Sequence, residues 1–317
     1  MQDNEITVSV ALVVYNHEKY VIQAIESILM QDVDFSYEII VGDDKSTDRS
    51  REILLGYKEK YPERITLLFQ DENVGGTKNI YDLFMKSKGK YIAVLEGDDY
   101  WLDRKKLQKQ VDFLENNNEY LGVSHLIEAR DISGKYISTQ PSSPKIVGKD
   151  ATVELFLKGI YFSAVATVFR NFFKDTKADY SIYYKAHKYV GDLTLCMILL
   201  DKGRIKVLNE AMSAYRSRST KGESNYNSIR NSFQQYNDHI QLINAINKHF
   251  DFKYNFSREY IERSAAIFFS SIRHGEFHHF HNTFKLIPLK TRVLFYFLLP
   301  IKLVNNIFTK LVSKTKF

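Results

Sequence analysis

The stretch Tyr91–Asp103, YIAVLEGDDYWLD, constrains this chain more than any other. It opens on a continuous apolar run from Tyr91 to Leu95. A run without period-two alternation suits a strand buried on both faces. The run breaks into Glu96-Gly97-Asp98-Asp99, so three carboxylates fall at the end of a buried strand. Unpaired charge is costly to bury, and a cation is expected to compensate it. Oxygen ligands of this kind favour a hard divalent ion, Mg2+ or Mn2+, which often also binds substrate phosphates. The competing reading is an acidic turn with Asp103 as N-cap of a helix over Lys105–Leu114.

The residues upstream favour the first reading. Ile6–Tyr15 is rich in β-branched residues and predicts a buried strand, broken by Asn16 and His17. Tyr20, Val21, Ala24, Ile25, Ile28 and Leu29 then mark one face of a helix. Tyr37–Val41 predicts a second strand, which ends in the acidic stretch Gly42–Asp48 and leads to a helix over Arg49–Lys60. Ile65–Phe69 predicts a third strand, Asn73–Gly76 a turn, Thr77–Ser87 a helix, and Tyr91–Leu95 a fourth strand. Such alternation predicts a mostly parallel sheet covered by helices, with ligands at the carboxyl ends of its strands. Polar groups stand at three of those ends: Tyr15-Asn16, Asp43-Asp44 and Glu96–Asp99.

The strand–YN–helix opening, GDDKSTD, NVGGTKN and EGDDYW, in this order and spacing, resemble a family 2 glycosyltransferase of the GT-A fold. The resemblance is strongest across Ile6–Leu114 and traceable to about Arg216. It implies an α/β fold, a Rossmann-like, mostly parallel central sheet flanked by helices, here with a C-terminal helical extension. It also implies a nucleotide-sugar donor and inverting sugar transfer. By matching position, Tyr15 and Asn16 line the nucleotide pocket, Asp44 bonds the base, and Asn79 lies on the donor side. Asp98 and Asp99 fall in the DxD-like segment that holds the metal on the diphosphate. Glu96 takes the first acidic position, where many members have Asp.

Inverting transfer needs a base opposite the leaving group to deprotonate the acceptor hydroxyl. Asp192, in Tyr189-Val190-Gly191-Asp192, opens an apolar helix over Leu193–Leu200. The family places its base in such a pair before a helix, and the competing reading is an N-cap. Between the halves, Tyr120–Ile127 predicts a strand, Asp131–Lys135 a hairpin turn, Ser138–Pro144 a loop and Ser163–Arg170 a strand. Arg204–Leu208 and Ala211–Arg216 predict two short strands. After them, many relatives have Tyr-Arg-x-His, whereas this chain has Tyr215-Arg216-Ser217-Arg218. Arg218 cannot ligate a metal but can grip a diphosphate, so no histidine ligand is assigned. The histidines His274, His278, His279 and His281 lack the acids a metal site needs.

Three regions are expected. Residues 1–218 form the catalytic domain, with a nucleotide-sugar half to about 103 and an acceptor half from 104. Residues 219–281 form a helical extension that begins with a polar lid or loop, and 282–317 a basic amphipathic tail. From Phe277 on there are seven Lys or Arg and no Asp or Glu. Of 44 Lys and Arg, the other 37 face 38 Asp and Glu, which gives no support for a nucleic-acid partner. The apolar run Val293–Ile301 is far short of the ~20 residues that span a bilayer. Leu303, Val304, Ile307, Phe308, Leu311 and Val312 fall on one side of a helical wheel, with basic flanks suited to the inner membrane surface. The single cysteine, Cys196, and an N-terminus without signal-peptide character predict a cytoplasmic protein, peripheral on that face. A UDP-sugar is the default donor, with dTDP close behind, and the acceptor is a glycan or lipid-linked glycan. The alternatives are a sugar-phosphate nucleotidyltransferase, against which Tyr15-Asn16-His17-Glu18 replaces the expected Gly-rich basic loop, and a non-catalytic glycan- or nucleotide-binding scaffold.

Overall fold

The computed structural model describes residues 5–141, 143–175, 177–217 and 232–298. They fall into two compact units, Met1–Ser224 and Asn225–Phe317.

The first unit is built on strands β1 (Val8–Val14), β2 (Tyr37–Asp43), β3 (Ile65–Phe69) and β4 (Tyr91–Glu96). They lie side by side in the order β3-β2-β1-β4, all parallel, as the strand–helix alternation predicts. Every residue of β1 is buried, which is why its sequence shows no alternation. Helices α1 (Val21–Leu29), α2 (Ser50–Lys60) and α3 (Gly76–Lys86) make the crossovers. In α1 the buried residues Val21, Ala24, Ile25 and Ile28 are the expected apolar face. The register matters most for function: Val14 stands beside Asp43, and Val13 beside Glu96. All three polar strand ends therefore share one edge.

Beyond β4 the sheet changes character. A two-residue strand, β5 (Tyr100–Trp101), follows the acidic turn, and α4 (Lys106–Asn116) leads to β6 (Tyr120–Arg130). The predicted hairpin turn is present, with the Gly134 N–H donating to the Asp131 carbonyl. Its second strand, β7 (Tyr136–Gln140), takes up the first half of the expected loop. After β8 (Asp150–Ala151) and α5 (Val153–Leu157), β9 (Val168–Arg170) enters antiparallel between β4 and β6. Only the end of the expected Ser163–Arg170 strand is extended in this way. The Ser163 carbonyl instead accepts the hydroxyls of Ser124 and Thr167.

Helices α6 (Ile182–Lys185) and α7 (Asp192–Lys202) precede β10 (Arg204–Arg216). Two short strands were expected where β10 runs unbroken. Its pairing with β6 shifts register between Val207 and Ala211 and again between Ala211 and Ser213, and these irregularities disrupt the alternation. Pairing of β10 with β5 returns its last turn of chain to the acidic turn.

The second unit contains helices Ser232–His249, Ser257–His274 and Phe277–Phe284, and residues 289–298 are also helical. Phe295 is buried here, 5.0 Å from the ring of Phe284. The first part of the expected tail thus packs on one of its faces. Residues 299–317, which carry the predicted amphipathic wheel, and the expected lid, 219–227, lie outside the described residues.

Candidate active site

The acidic turn is tightly framed. The Gly97 N–H donates to the Val13 carbonyl at 2.7 Å. A Cβ at Gly97 would lie 2.7 Å from His17 Nδ1, so only glycine allows this approach. Carboxylate oxygens of Glu96, Asp98 and Asp99 lie within 4.8 Å of one another, and Asp99 is buried. Three like charges this close repel strongly where water is excluded. The Arg216 N–H donates to Asp99 Oδ1, and its Nε to the Asp98 carbonyl, both at 2.8 Å. Its other end reaches Gln23 Oε1, and the guanidinium lies over the rings of Tyr20 and Tyr100. Arg216 therefore holds the backbone of the turn. His17 Nε2 stands 3.9 Å from Asp98 Oδ1.

The donor set fits a metal. It is all oxygen and all anionic, the ligand chemistry that hard divalent cations take. Asp103, the alternative cap, does accept the Lys105 N–H at 2.8 Å, beyond the acid cluster.

Next to this turn, the loops after β1 and β2 are zipped together. Asn16, in the left-handed region at φ 55°, accepts the Thr47 N–H at 2.8 Å, and its own N–H reaches Ser46 Oγ at 2.9 Å. The Glu18 N–H donates to Asp48, and the Arg49 N–H to Glu18. Tyr15 is half-buried beside them.

Asn79 and Asp44 are both engaged within the fold. Asn79 is fully buried, donates to the Gly42 carbonyl at 2.8 Å and accepts from Gln70. It ties α3 to β2. Asp44 is 2% exposed and accepts the N–H groups of Val74 and Gly75 at 2.7 and 2.9 Å. Its carboxylate braces the turn before α3 instead of facing outward. Burial raises its pKa despite these bonds and nearby Lys188. Arg218 lies outside the described residues.

Asp192 is the first residue of α7, and the cap position belongs to Gly191. Asp192 is exposed at the surface. Desolvation raises its carboxyl above the usual carboxylate range. Tyr183, buried on α6, has its phenol raised well above its ordinary value by burial first, and then by Asp192 and Glu96. Asp192 and Glu96 thus act on one side chain, although they lie 96 positions apart in sequence. One turn beyond, the Cys196 thiol is raised by burial first and then by Asp192.

Reading from sequence missed Tyr183, Gln23 and the part played by Arg216. Tyr183 sits in an unremarked polar stretch. Arg216 acts on a turn 117 residues away, and only the pairing of β10 with β5 brings it there.

A family model described as Glycosyl transferase family 2 matches residues 9–176. The uncharacterized protein Rv1520 of Mycobacterium tuberculosis is 29% identical over 217 residues, 66% of this chain and 58% of that protein. The chain thus spans less than two thirds of such a relative. The putative teichuronic acid biosynthesis glycosyltransferase TuaG of Bacillus subtilis is 37% identical over 107 residues, 34% of this chain and 41% of that one. Among solved structures, S. aureus TarS 1–349 in complex with UDP-GlcNAc superposes with a TM-score of 0.59 at 16% identity, covering 90% of this chain and 83% of that one. At that identity the likeness establishes the fold.

Proposed function

This chain belongs to glycosyl transferase family 2, and from that premise we propose that it is a metal-dependent, inverting glycosyltransferase. It moves a sugar from a nucleoside-diphosphate sugar to a hydroxyl of a glycan or lipid-linked acceptor in cell-surface polysaccharide synthesis. The observation that carries this reading is the clustering of the Glu96, Asp98 and Asp99 carboxylates within 4.8 Å of one another, at the carboxyl edge of the parallel strands.

Glu96, Asp98 and Asp99 would hold Mn2+ or Mg2+, and such an ion when bound neutralises charge developing on a departing diphosphate. Tyr15 and Asn16 bind the nucleotide at the zipped loops. Arg216 keeps the acidic turn in one conformation, and Arg218 is assigned to the diphosphate. The acceptor hydroxyl attacks the anomeric carbon as Asp192 takes its proton. The bond to the diphosphate oxygen breaks on the opposite face, so the anomeric configuration inverts. A carboxylate of raised pKa is a better match to this task than an ordinary one, because its proton affinity lies closer to working pH. UDP-GlcNAc in the TarS relative makes a UDP-sugar the first donor to try. The name of the TuaG relative directs the acceptor search to surface glycans.

The second unit adds a membrane-facing element to this reading. No described helix is long and apolar enough to cross a membrane. Along residues 289–298, however, Leu289, Val293, Leu294, Tyr296 and Phe297 are exposed, with Lys290 among them. An apolar, aromatic and basic face suits the anionic cytoplasmic surface of a membrane.

Free nucleoside diphosphate, measured across a panel of donors and acceptors, tests the central reading. It should appear only when metal, acceptor and the right donor are all present, and EDTA should stop it. Undiminished release in EDTA would remove the metal from the reaction.

A further inference from the structure

The loop that delivers Asp192 is fastened to the start of α3. Thr77, 1% exposed, directs its hydroxyl at two carbonyls, those of His187 at 2.7 Å and Lys188 at 2.9 Å. Its N–H also donates to the Lys188 carbonyl at 3.3 Å. In return, Lys188 Nζ reaches the Asn73 carbonyl at 3.2 Å. The chains touch closely at Gly75, where φ is 93° and a Cβ would lie 2.4 Å from Lys188 Cγ and 2.6 Å from its carbonyl oxygen. The loop is also stiff within itself, because His187 Nδ1 accepts the N–H groups of Tyr189 and Val190 at 3.0 and 2.8 Å. Asp44 grips Val74 and Gly75 on the other side of the contact. An unbroken run of bonds therefore leads from the end of β2, through the NVGG turn and Thr77, to the loop that ends at Asp192.

We propose that Thr77 is a positioning residue that fixes the base loop, and with it Asp192, against the donor-binding half. The proposal rests on the transferase reading above. A buried hydroxyl is well suited to the task, since losing it removes the Thr77 donor from the His187 carbonyl and leaves the Lys188 carbonyl only the longer bond from the Thr77 N–H. A shift of about 1 Å in a catalytic group is enough to cost ~10²-fold in rate.

Thr77→Val keeps the shape and removes the hydroxyl, whereas Thr77→Ser keeps the hydroxyl. In Thr77→Val we expect kcat to fall at least ~10-fold while the KM for the donor stays within about twofold, and Thr77→Ser to recover most of the rate. Hydrogen exchange should quicken in Thr77→Val over residues 187–193 alone. An unchanged kcat, a serine variant as slow as the valine one, or a loss expressed in donor KM would each overturn the proposal. So would exchange that quickens across β1 to β4, which would make Thr77 a general stability residue. If the wild type transfers no sugar from any donor, the transferase reading fails by itself, and the exchange measurement still decides whether Thr77 holds the loop.

Discussion

At the scale of single residues, Asp192 offers two separable tests. Asp192→Asn should cut kcat by about 10²-fold or more with donor affinity retained, the usual scale of general-base catalysis. If donor binding falls and turnover per bound donor does not, Asp192 is a binding residue. Its raised pKa also bears on stability. The folded state holds that proton more tightly than the unfolded chain does. Stability is therefore lost as pH rises from the ordinary carboxylate range through the raised value. Asp192→Asn should accordingly melt above wild type at pH 7, and the gap should close in acid. A lower melting temperature at pH 7 would show that the charge is compensated in the fold. Asp99→Asn should nearly abolish transfer and weaken nucleotide binding in Mn2+, measured by thermal shift with and without the ion. The four acids Glu96, Asp98, Asp99 and Asp192 are visible in sequence because charge at the end of an apolar run is anomalous. Asp44 and Asn79 sit in motifs of equal prominence, yet their polar atoms are consumed inside the wall. No local pattern distinguishes a carboxylate that braces a turn from one that faces a ligand.

At the scale of elements, the acidic turn continues through β5 into α4, and α4 carries a buried cation. Lys106 donates to Gln110 Oε1 at 2.8 Å and lies 4.2 Å above the Trp101 ring. Burial lowers its pKa to about 7. His125, buried nearby on β6, is pushed down to about 3, first by burial and then by Lys106, and so stays neutral at working pH. Between pH 7 and 10 the unfolded chain holds the lysine proton and the folded one gives it up, so stability attributable to this group rises with pH. The melting temperature of wild type should gain on that of Lys106→Met across this window. Parallel curves would mean that the ammonium stays charged in the core. Sequence patterns located α1 to α4 and β1 to β4 closely, since most of them bury a helical stripe or a whole strand. They failed at β5, β7 and β10, where pairing with distant strands and register shifts decide the conformation.

At the scale of the molecule, the near-neutral body and the basic end call for different partners. Deleting Leu289–Phe317 should release the protein from anionic vesicles and spare activity on a short soluble acceptor. Activity on a lipid-linked acceptor should fall. Each cation near such a surface contributes about 1 kcal/mol, screened over ~10 Å, while the apolar face does not depend on salt, so salt should weaken binding only in part. Vesicles ignored by the full chain, together with unfolding of the truncated one, would make this segment a packing element throughout. Because Phe295 packs against Phe284, such a truncation uncovers the Phe284 ring.

The contact between Thr77 and the His187–Lys188 carbonyls also bears on how such enzymes diversify. On the proposed reading, donor recognition lies in the first hundred residues and the base in the second hundred, which invites recombination of halves between relatives. A chimera joined near residue 104 would inherit the NVGGTK corner from one parent and its partner loop from the other. Grafts that keep both segments from one parent should yield active hybrids more often than those that split them. What looks like a modular boundary in sequence is a point of co-inheritance in space.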